Sequence, residues 1–356
     1  TLSAYHRGVT RRFVLAFAFS IALLLSASRA LAQMPEERGS LSFMEWDAGS
    51  VPADTTSLRT RVLYPEGAGP YPLVGVIHGA GRSGGFHIEL ARTLASRGFV
   101  VVLPDMPCTP IACDHAANAR QIAALMTWAV TQSGMAGSRI AGLVDATRRG
   151  LIGHSWGALA SHLRASMDGE LSSLVLFDPN DDGTEGLDAT STITAPTLQL
   201  LAQVPGACNS QWREDMVSAR LPEPHLQMTV SRSAHCDPEE PGDFICPLGC
   251  GSGVPSTSRF FRRYAVAWTE CNLLGAASAA PWLGGASMNA DVDADVLRGV
   301  VSGGLEMLRC ASATPGSDAG VDADAGVDAD AGAREDAGSI AGEDGGATPA
   351  MDGGSV

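Results

Sequence analysis

The stretch Gly150–Ala158, with the sequence Gly-Leu-Ile-Gly-His-Ser-Trp-Gly-Ala, constrains the fold of this chain more than any other. A short apolar run leads to a serine with glycines two positions before and after it, Gly153 and Gly157, and a helix-compatible segment follows. The pattern predicts a strand, a sharp turn and a helix with Ser155 at the apex, because larger side chains at the glycines would make strand and helix collide. Ser155 is therefore the candidate nucleophile. The alternative is a plain strand-to-helix turn, since a chain with 41 glycines produces such patterns by chance.

The first 32 residues have the pattern of a secretory signal peptide. They contain four arginines and no acidic residue, an apolar run over Phe13–Leu25 and the small-residue site Ala30-Leu31-Ala32. The apolar run is short for a membrane span. We expect cleavage after Ala32, a secreted or periplasmic protein, and no stable membrane span in the mature form. The alternative is a retained membrane anchor.

All eight cysteines lie after the predicted cleavage point. An even number of cysteines in an oxidising compartment predicts disulfide bonds. Cys108 and Cys113 bracket a loop short enough to be closed by one such bond, whereas the sequence leaves the pairing of the other six open. A zinc site at Cys246 and Cys250 is disfavoured, because it requires four suitably spaced ligands that are not oxidised.

The charge distribution separates an acidic tail from the rest of the chain. The net charge is −15, and residues 311–356 contribute ten acidic residues and one arginine. Without a basic stripe, nucleic acid is excluded as a partner. The tail repeats Asp-Ala-Gly and has no aromatic residue, so burial cannot offset its chain entropy and we expect it to be disordered. A calcium-binding tail is the alternative, but the ligand spacing of a calcium loop is missing.

The segment 33–310 is expected to form one catalytic domain. In it, short apolar runs alternate with longer helical patterns. The runs are Pro72–Ile77, Phe99–Leu103, Leu151–Gly153, Ser173–Phe177, Thr197–Leu201 and Leu226–Val230. The helical patterns are Ile88–Ser96, Ala116–Thr131, Ala158–Met167, Glu214–Arg220 and Arg259–Leu274, the last with Phe260, Tyr264 and Trp268 facing inward. Continuous apolar strands joined by helices predict an α/β fold, a doubly wound, mostly parallel sheet with helices on both faces.

Functional groups in such a sheet collect where the carboxyl ends of the strands meet loops. Ser155, Asp178 and His235 each follow a predicted strand, in the order nucleophile, acid, base. In this arrangement His235 takes the proton from Ser155, and Asp178 holds the imidazole tautomer. The role of the acid has alternatives, because other carboxylates lie nearby in the sequence. These are Asp181, Asp182 and Asp237.

The loop after the run Pro72–Ile77 reads His-Gly-Ala-Gly. Its glycines allow backbone amides to approach a substrate oxygen, so we expect the N–H groups of Ala80 and Trp156 to form an oxyanion hole. His78 is interpreted as a structural residue that fixes this loop. Phe86 is a candidate for the wall of the substrate site, with a place in the core as the alternative.

Together, the Gly-His-Ser-Trp-Gly motif, the His78-Gly79 loop and the closing Ser233-Ala234-His235 resemble the α/β-hydrolase superfamily over residues 55–275. Within it, residues 71–79 and 94–100 resemble the branch of dienelactone hydrolases, chlorophyllases and bacterial polyester hydrolases. An acid after the sixth strand is most similar to the chlorophyllase pattern. Polyester hydrolases place the acid after the seventh strand and have an aromatic residue where this chain has Ala80.

The sequence thus predicts an exported serine hydrolase that cleaves a small-molecule or polymeric carboxylic ester through an acyl-enzyme. The resemblance implies no metal and no cofactor. One alternative is a polyester or lipid-ester hydrolase that acts at a surface. The other is a secreted binding protein that keeps the fold without turnover.

Overall fold

The apolar runs of the sequence form the centre of one nine-stranded sheet in the computed structural model, which describes residues 33–167, 169–254 and 256–311. The strands are β1 (Phe43–Ala53), β2 (Thr56–Pro65), β3 (Tyr71–Ile77), β4 (Val100–Pro104), β5 (Val144–His154), β6 (Ser173–Phe177), β7 (Thr197–Ala202), β8 (His225–Val230) and β9 (Leu297–Gly303). Their order across the sheet is β1-β2-β4-β3-β5-β6-β7-β8-β9. The ladders that join β4, β3, β5, β6, β7 and β8 are parallel, and β1, β2 and β9 pair antiparallel.

Helices cover both faces of the sheet. They are α1 (Ile88–Ser96), α2 (His115–Gly134), α3 (Trp156–Met167), α4 (Glu185–Ala189), α5 (Glu214–Ser218), α6 (Ile245–Cys250), α7 (Ser258–Thr269) and α8 (Ala286–Asp293). A π-helical segment, Glu270–Leu274, continues α7. Short 3-10 helices lie at Gly84–His87, Thr190–Thr192, Ala277–Trp282 and Leu305–Met307. The predicted fold class, a mostly parallel sheet with helices on both faces, is confirmed.

Two apolar cores lie on the two faces of the sheet. Side chains of α1 and α7 pack against one face, together with alternate strand residues such as Val74. Side chains of α2 and α3 pack against the other face, which receives Leu73. Because neighbouring residues of a strand point to opposite faces, each central strand is buried on both sides and appears in the sequence as an unbroken apolar run.

Three strands were not predicted, and all three pair antiparallel. In the edge strands only two of the 11 residues of β1 and one of the 7 residues of β9 are buried, so these strands lack the continuous apolar run by which the central strands were identified. The prediction for the last long helix was wrong in one detail. Tyr264 and Trp268 are fully buried, but Phe261 takes the inward position expected of Phe260, whose ring instead packs beneath an arginine guanidinium, 4.9 Å from that of Arg263.

Four disulfide bonds connect the described cysteines. They are Cys108–Cys113, Cys208–Cys250, Cys236–Cys246 and Cys271–Cys310. The local Cys108–Cys113 pair agrees with the expectation.

The signal peptide expected over residues 1–32 lies outside the described residues, as does the acidic tail beyond residue 311. Among the helices that the structure describes, none is long and apolar enough to cross a membrane.

Candidate active site

Ser155 lies at the turn between β5 and α3, with a positive φ of 56°. The turn is tight enough to require both glycines of the motif. A Cβ atom on Gly153 would lie 2.4 Å from the carbonyl oxygen of Gly157, and a Cβ on Gly157 would lie 2.3 Å from the carbonyl oxygen of His78. The glycines therefore let strand, helix and the loop after β3 approach one another, and the approach leaves the serine at the apex.

The structure brings the three predicted triad side chains together. His235 Nε2 is 2.9 Å from Ser155 Oγ, and His235 Nδ1 is 2.6 Å from Asp178 Oδ2. All three residues are buried. Because the carboxylate accepts the Nδ1 proton, Nε2 is left as the acceptor that faces the serine hydroxyl.

Asp178 is held by the ends of the neighbouring strands. It follows β6 with a positive φ of 36°. Its N–H donates to the Leu200 carbonyl at 2.8 Å, and its Oδ1 accepts the Ala202 N–H at 2.8 Å. These two bonds tie the backbone and Oδ1 of Asp178 to β7 and leave Oδ2 free to face His235.

The three alternative acids have other partners. Asp181 accepts the N–H groups of Gly183 and Gly186 and so shapes its own loop. The Oδ1 atom of Asp182 lies 3.8 Å from Nε2 of His115. Asp237 accepts the Ala234 N–H and the Thr257 hydroxyl, and burial raises its pKa. Of the four candidate carboxylates, Asp178 is the one hydrogen-bonded to His235.

The loop after β3 lies directly against the nucleophile. A Cβ on Gly79 would be 2.9 Å from Ser155 Cβ, and the Gly81 N–H donates to the Cys108 carbonyl at 2.7 Å. Ala80 and Trp156, whose amides were nominated for the oxyanion hole, line the same cleft as Ser155. Trp156 is the first residue of α3, and N–H groups at a helix start have no acceptor within the helix.

His78 has a structural role in this loop. Its Nε2 accepts the Met106 N–H at 2.7 Å, and Nδ1 donates to the Gly79 carbonyl, also at 2.7 Å. Burial lowers the pKa of His78. The neutral ring therefore connects the oxyanion loop to the segment after β4.

Phe86 does not lie where it was predicted. The guanidinium of Arg82 stacks over the Phe86 ring at 3.6 Å, and it is Arg82 that lines the cleft. Phe86 therefore supports Arg82 from beneath instead of forming the wall of the site. A cation above an aromatic ring is attracted by the ring quadrupole, which explains this order of the two side chains.

The cleft above Ser155 has a volume of about 340 Å³. Its walls come from loops after several strands, as the fold predicts for the carboxyl edge of a parallel sheet. Lining residues beyond the triad and the oxyanion loop include Pro110, Asn180, Ala207, Gln211 and the Cys208–Cys250 disulfide. A site of this size can take a small ester or one end of a longer chain.

A buried polar group behind the catalytic histidine was not predicted. His154 Nε2 donates to the His235 carbonyl at 2.7 Å, and its Nδ1 lies 3.9 Å from Glu239. Arg82 forms a two-pronged ion pair with Glu239, at 2.8 and 2.6 Å. Burial lowers the pKa of His154 well below its ordinary value and raises that of Glu239. These residues hold the loop that carries His235, and no sequence pattern distinguishes them from ordinary loop residues.

One cysteine cluster has the proximity expected of metal ligands. The sulfur atoms of Cys236, Cys246 and Cys250 lie within 4.8 Å of one another. All three are bound in disulfides. Thiolate is the form of cysteine that binds metals, so this cluster does not supply the ligands of a zinc site.

The sequence of residues 60–211 matches the PETase family model, which is described as PET hydrolase-like. The match begins in β2 and ends in the loop after β7, so it includes Ser155 and Asp178 and stops before His235. A comparison with curated proteins found no match. The α/β sheet and the strand-turn-helix at Ser155 are consistent with the α/β-hydrolase fold of that family, to which residues 60–211 are similar.

Proposed function

We propose that the protein is an exported serine hydrolase that cleaves carboxylic esters through an acyl-enzyme on Ser155. The observation that carries the proposal is the continuous hydrogen-bonded line from Ser155 Oγ through His235 to Asp178, at the floor of an open cleft. The match to a PET hydrolase-like family supports ester hydrolysis. The four disulfides support export, because such bonds persist in oxidising compartments.

The geometry accounts for each step of this chemistry. His235 Nε2 takes the proton of Ser155 as Oγ attacks the ester carbonyl, and Asp178 stabilises the resulting imidazolium. The amides of Ala80 and Trp156 stabilise the oxyanion that forms on the carbonyl oxygen. Protonated His235 then gives its proton to the leaving alcohol. Water repeats the sequence on the acyl-enzyme and releases the acid.

The test is the Ser155→Ala variant with p-nitrophenyl esters of increasing acyl length. We expect kcat to fall by about four or more orders of magnitude with unchanged circular dichroism, because only the oxyanion hole and binding remain. Retained turnover in this variant would overturn the proposal.

A second candidate is hydrolysis of an insoluble ester, such as a polyester, at its surface. Exposed apolar side chains neighbour lining residues of the cleft in two segments of the chain. Ile111, next to Pro110, is 96% exposed, and Phe244 and Leu248, close in sequence to the lining residue Cys246, are 76% and 82% exposed. Disulfides tie down both segments. The exposed side chains offer apolar area that a solid ester surface could cover.

This candidate predicts a difference between soluble and solid substrates. Phe244→Ser with Leu248→Ser should slow release of products from a polyester film at least severalfold and leave hydrolysis of p-nitrophenyl acetate within twofold. Met307→Ser, which removes an apolar side chain that is 58% exposed and does not line the cleft, is the control. Equal effects on film and soluble ester would exclude a role for these residues in surface binding.

A further inference from the structure

We propose that Asn209 is a positioning residue of the triad, whose amide sets the orientation and the charge that Asp178 presents to His235. The inference rests on the proposed function, since it concerns the same triad. Asn209 lies in the loop after β7, outside the three predicted triad positions.

Asn209 contacts the same oxygen of Asp178 that His235 contacts. Asn209 Nδ2 donates to Asp178 Oδ2 at 3.0 Å, and that oxygen is the one 2.6 Å from His235 Nδ1. The other oxygen, Oδ1, accepts the Ala202 N–H. The carboxylate therefore accepts three donors, two of them on the oxygen that holds the histidine.

The direction of the Asn209 amide is fixed by its surroundings. The Gly206 N–H, which can only donate, reaches Oδ1 at 2.9 Å, while the Val204 carbonyl, which can only accept, lies 3.2 Å from Nδ2. A flipped amide would oppose donor to donor and acceptor to acceptor. The N–H therefore points at Asp178.

The loop that carries Asn209 is itself tied to its neighbours. Cys208 forms its disulfide with Cys250, at the end of α6. The Val204 N–H donates to the Ser233 carbonyl at 2.8 Å, two residues before His235. Asn209 thus joins the acid to the same loop system that holds the base.

Several titratable and charged groups surround His235 and Asp178, so a change in the charge on Asp178 should affect the protonation of His235. The His154 ring centroid is 4.9 Å from that of His235, Glu239 lies 3.9 Å from His154, and Asp237 interacts electrostatically with Asp178. Behind these groups lie His87 and Arg82. An amide donor on Oδ2 takes up part of the negative charge that would otherwise act on His235, because a hydrogen bond to a carboxylate stabilises its charged form. Loss of the donor should therefore favour the protonated imidazole.

The experiment compares Asn209→Ala and Asn209→Asp with the native chain. For Asn209→Ala we expect kcat to fall about tenfold with KM within about twofold. The midpoint of the acid limb of the kcat/KM profile should move up by roughly half to one pH unit, the scale of one ordinary net hydrogen bond. Asn209→Asp keeps the shape and the bond from Gly206 but adds a second negative charge, so its midpoint should move up further. Ser210→Ala, in the next residue, is the matched control with an unchanged profile.

A titration of the His235 ring by NMR, with no substrate present, separates this inference from the proposed function. A shifted ring titration in the Asn209 variants supports the inference, and if the native protein hydrolyses no ester, only the proposed function is contradicted. If Asn209→Ala does not fold, the His235 ring titration of the isosteric Asn209→Asp variant tests the inference in its place. Variants that lower Tm but leave the ring titration and the acid limb unchanged would show a merely structural role and overturn the inference.

Discussion

At the scale of single residues, the position of a side chain on the sheet decides its chemical role. Asp178 follows β6 directly and is bonded at both its N–H and its Oδ1 to β7. Asp181 and Asp182 lie three and four residues later, in a loop, and their partners are elsewhere. The sheet thus selects one carboxylate from a crowded group.

This selection predicts a sharp difference among isosteric variants. Asp178→Asn should lower kcat by about four orders of magnitude, because the amide cannot hold the required His235 tautomer. Asn at positions 181, 182 or 237 should cost far less. Steady-state kinetics on one soluble ester measure all four. If Asp181→Asn or Asp182→Asn abolished turnover while Asp178→Asn stayed active, the triad acid would be reassigned to that later residue.

His162 predicts a pH dependence of stability that is separate from catalysis. It belongs to α3 and is fully buried, and its Nε2 donates to the Gly186 carbonyl at 2.9 Å. Burial lowers its pKa to about 4. Between pH 6.5 and about 4, the histidine is protonated in the unfolded chain but neutral in the folded chain. Protonation therefore stabilises the unfolded state, and the free energy of unfolding falls as the pH falls through this range, by about 2 kcal/mol at pH 5.

The check is urea unfolding at pH 7 and pH 5. His162→Gln keeps an N–H donor but does not titrate, so it should lose about 2 kcal/mol less stability than the native chain between the two values. His87, whose pKa burial lowers to about 3, retains its own contribution in both proteins. An identical pH dependence of the two proteins would contradict this assignment.

At the scale of elements, sequence patterns predicted the centre of the sheet better than its edges. The strands β3 to β8 are buried on both faces and appear as apolar runs, whereas β1 and β9 depend on backbone pairing at the edges. The triad positions followed from the strand ends, because those ends share one edge of the sheet. The PET hydrolase-like match is consistent with the branch that the sequence resembles, which includes the polyester hydrolases, while the position of the acid after β6 resembles the chlorophyllase pattern.

The contacts that no pattern predicted are those between loops. Asn209 reaches Asp178 across 31 residues of sequence, and His154 reaches the His235 carbonyl across 81. Such contacts depend on how loops from separate strands meet after folding. A periodicity or a local motif carries no information on that meeting.

The packing of β5, α3 and the oxyanion loop predicts the effect of one methyl group. In Gly157→Ala the new Cβ would lie 2.3 Å from the His78 carbonyl oxygen, so helix and loop must separate. We expect a loss of stability of about 2 kcal/mol and a large loss of kcat. Gly134→Ala, where a Cβ meets nothing within 4 Å, is the control. Chemical denaturation and ester kinetics on both variants provide the comparison, and a native-like Gly157→Ala would refute the packing argument.

At the scale of the whole molecule, the chain combines a disulfide-bonded catalytic segment with the acidic segment beyond it. Cys310, one residue before the end of the described chain, is bonded to Cys271 in the π-helical segment that continues α7. The acidic residues that follow have the composition of a segment that buries no apolar surface. From this composition we expect the acidic segment to contribute nothing to folding or ester hydrolysis.

Truncation after Ser312 tests that expectation. We expect the melting temperature and the rate of ester hydrolysis to remain unchanged, because a segment of this composition is not expected to bury apolar surface. The cut must follow Cys310 to preserve its disulfide. A fall of several degrees in Tm would show that the acidic segment packs on the catalytic segment.

The measurement that tests the central claim most directly is covalent labelling with an active-serine phosphonate, read by intact mass and peptide mapping. We predict one adduct per chain on Ser155, none in Ser155→Ala, and strongly slowed labelling in Asp178→Asn, because labelling requires the hydroxyl that His235 activates. A well-folded native protein that takes up no phosphonate, or carries it on another residue, would contradict the triad and leave a binding protein on a hydrolase fold.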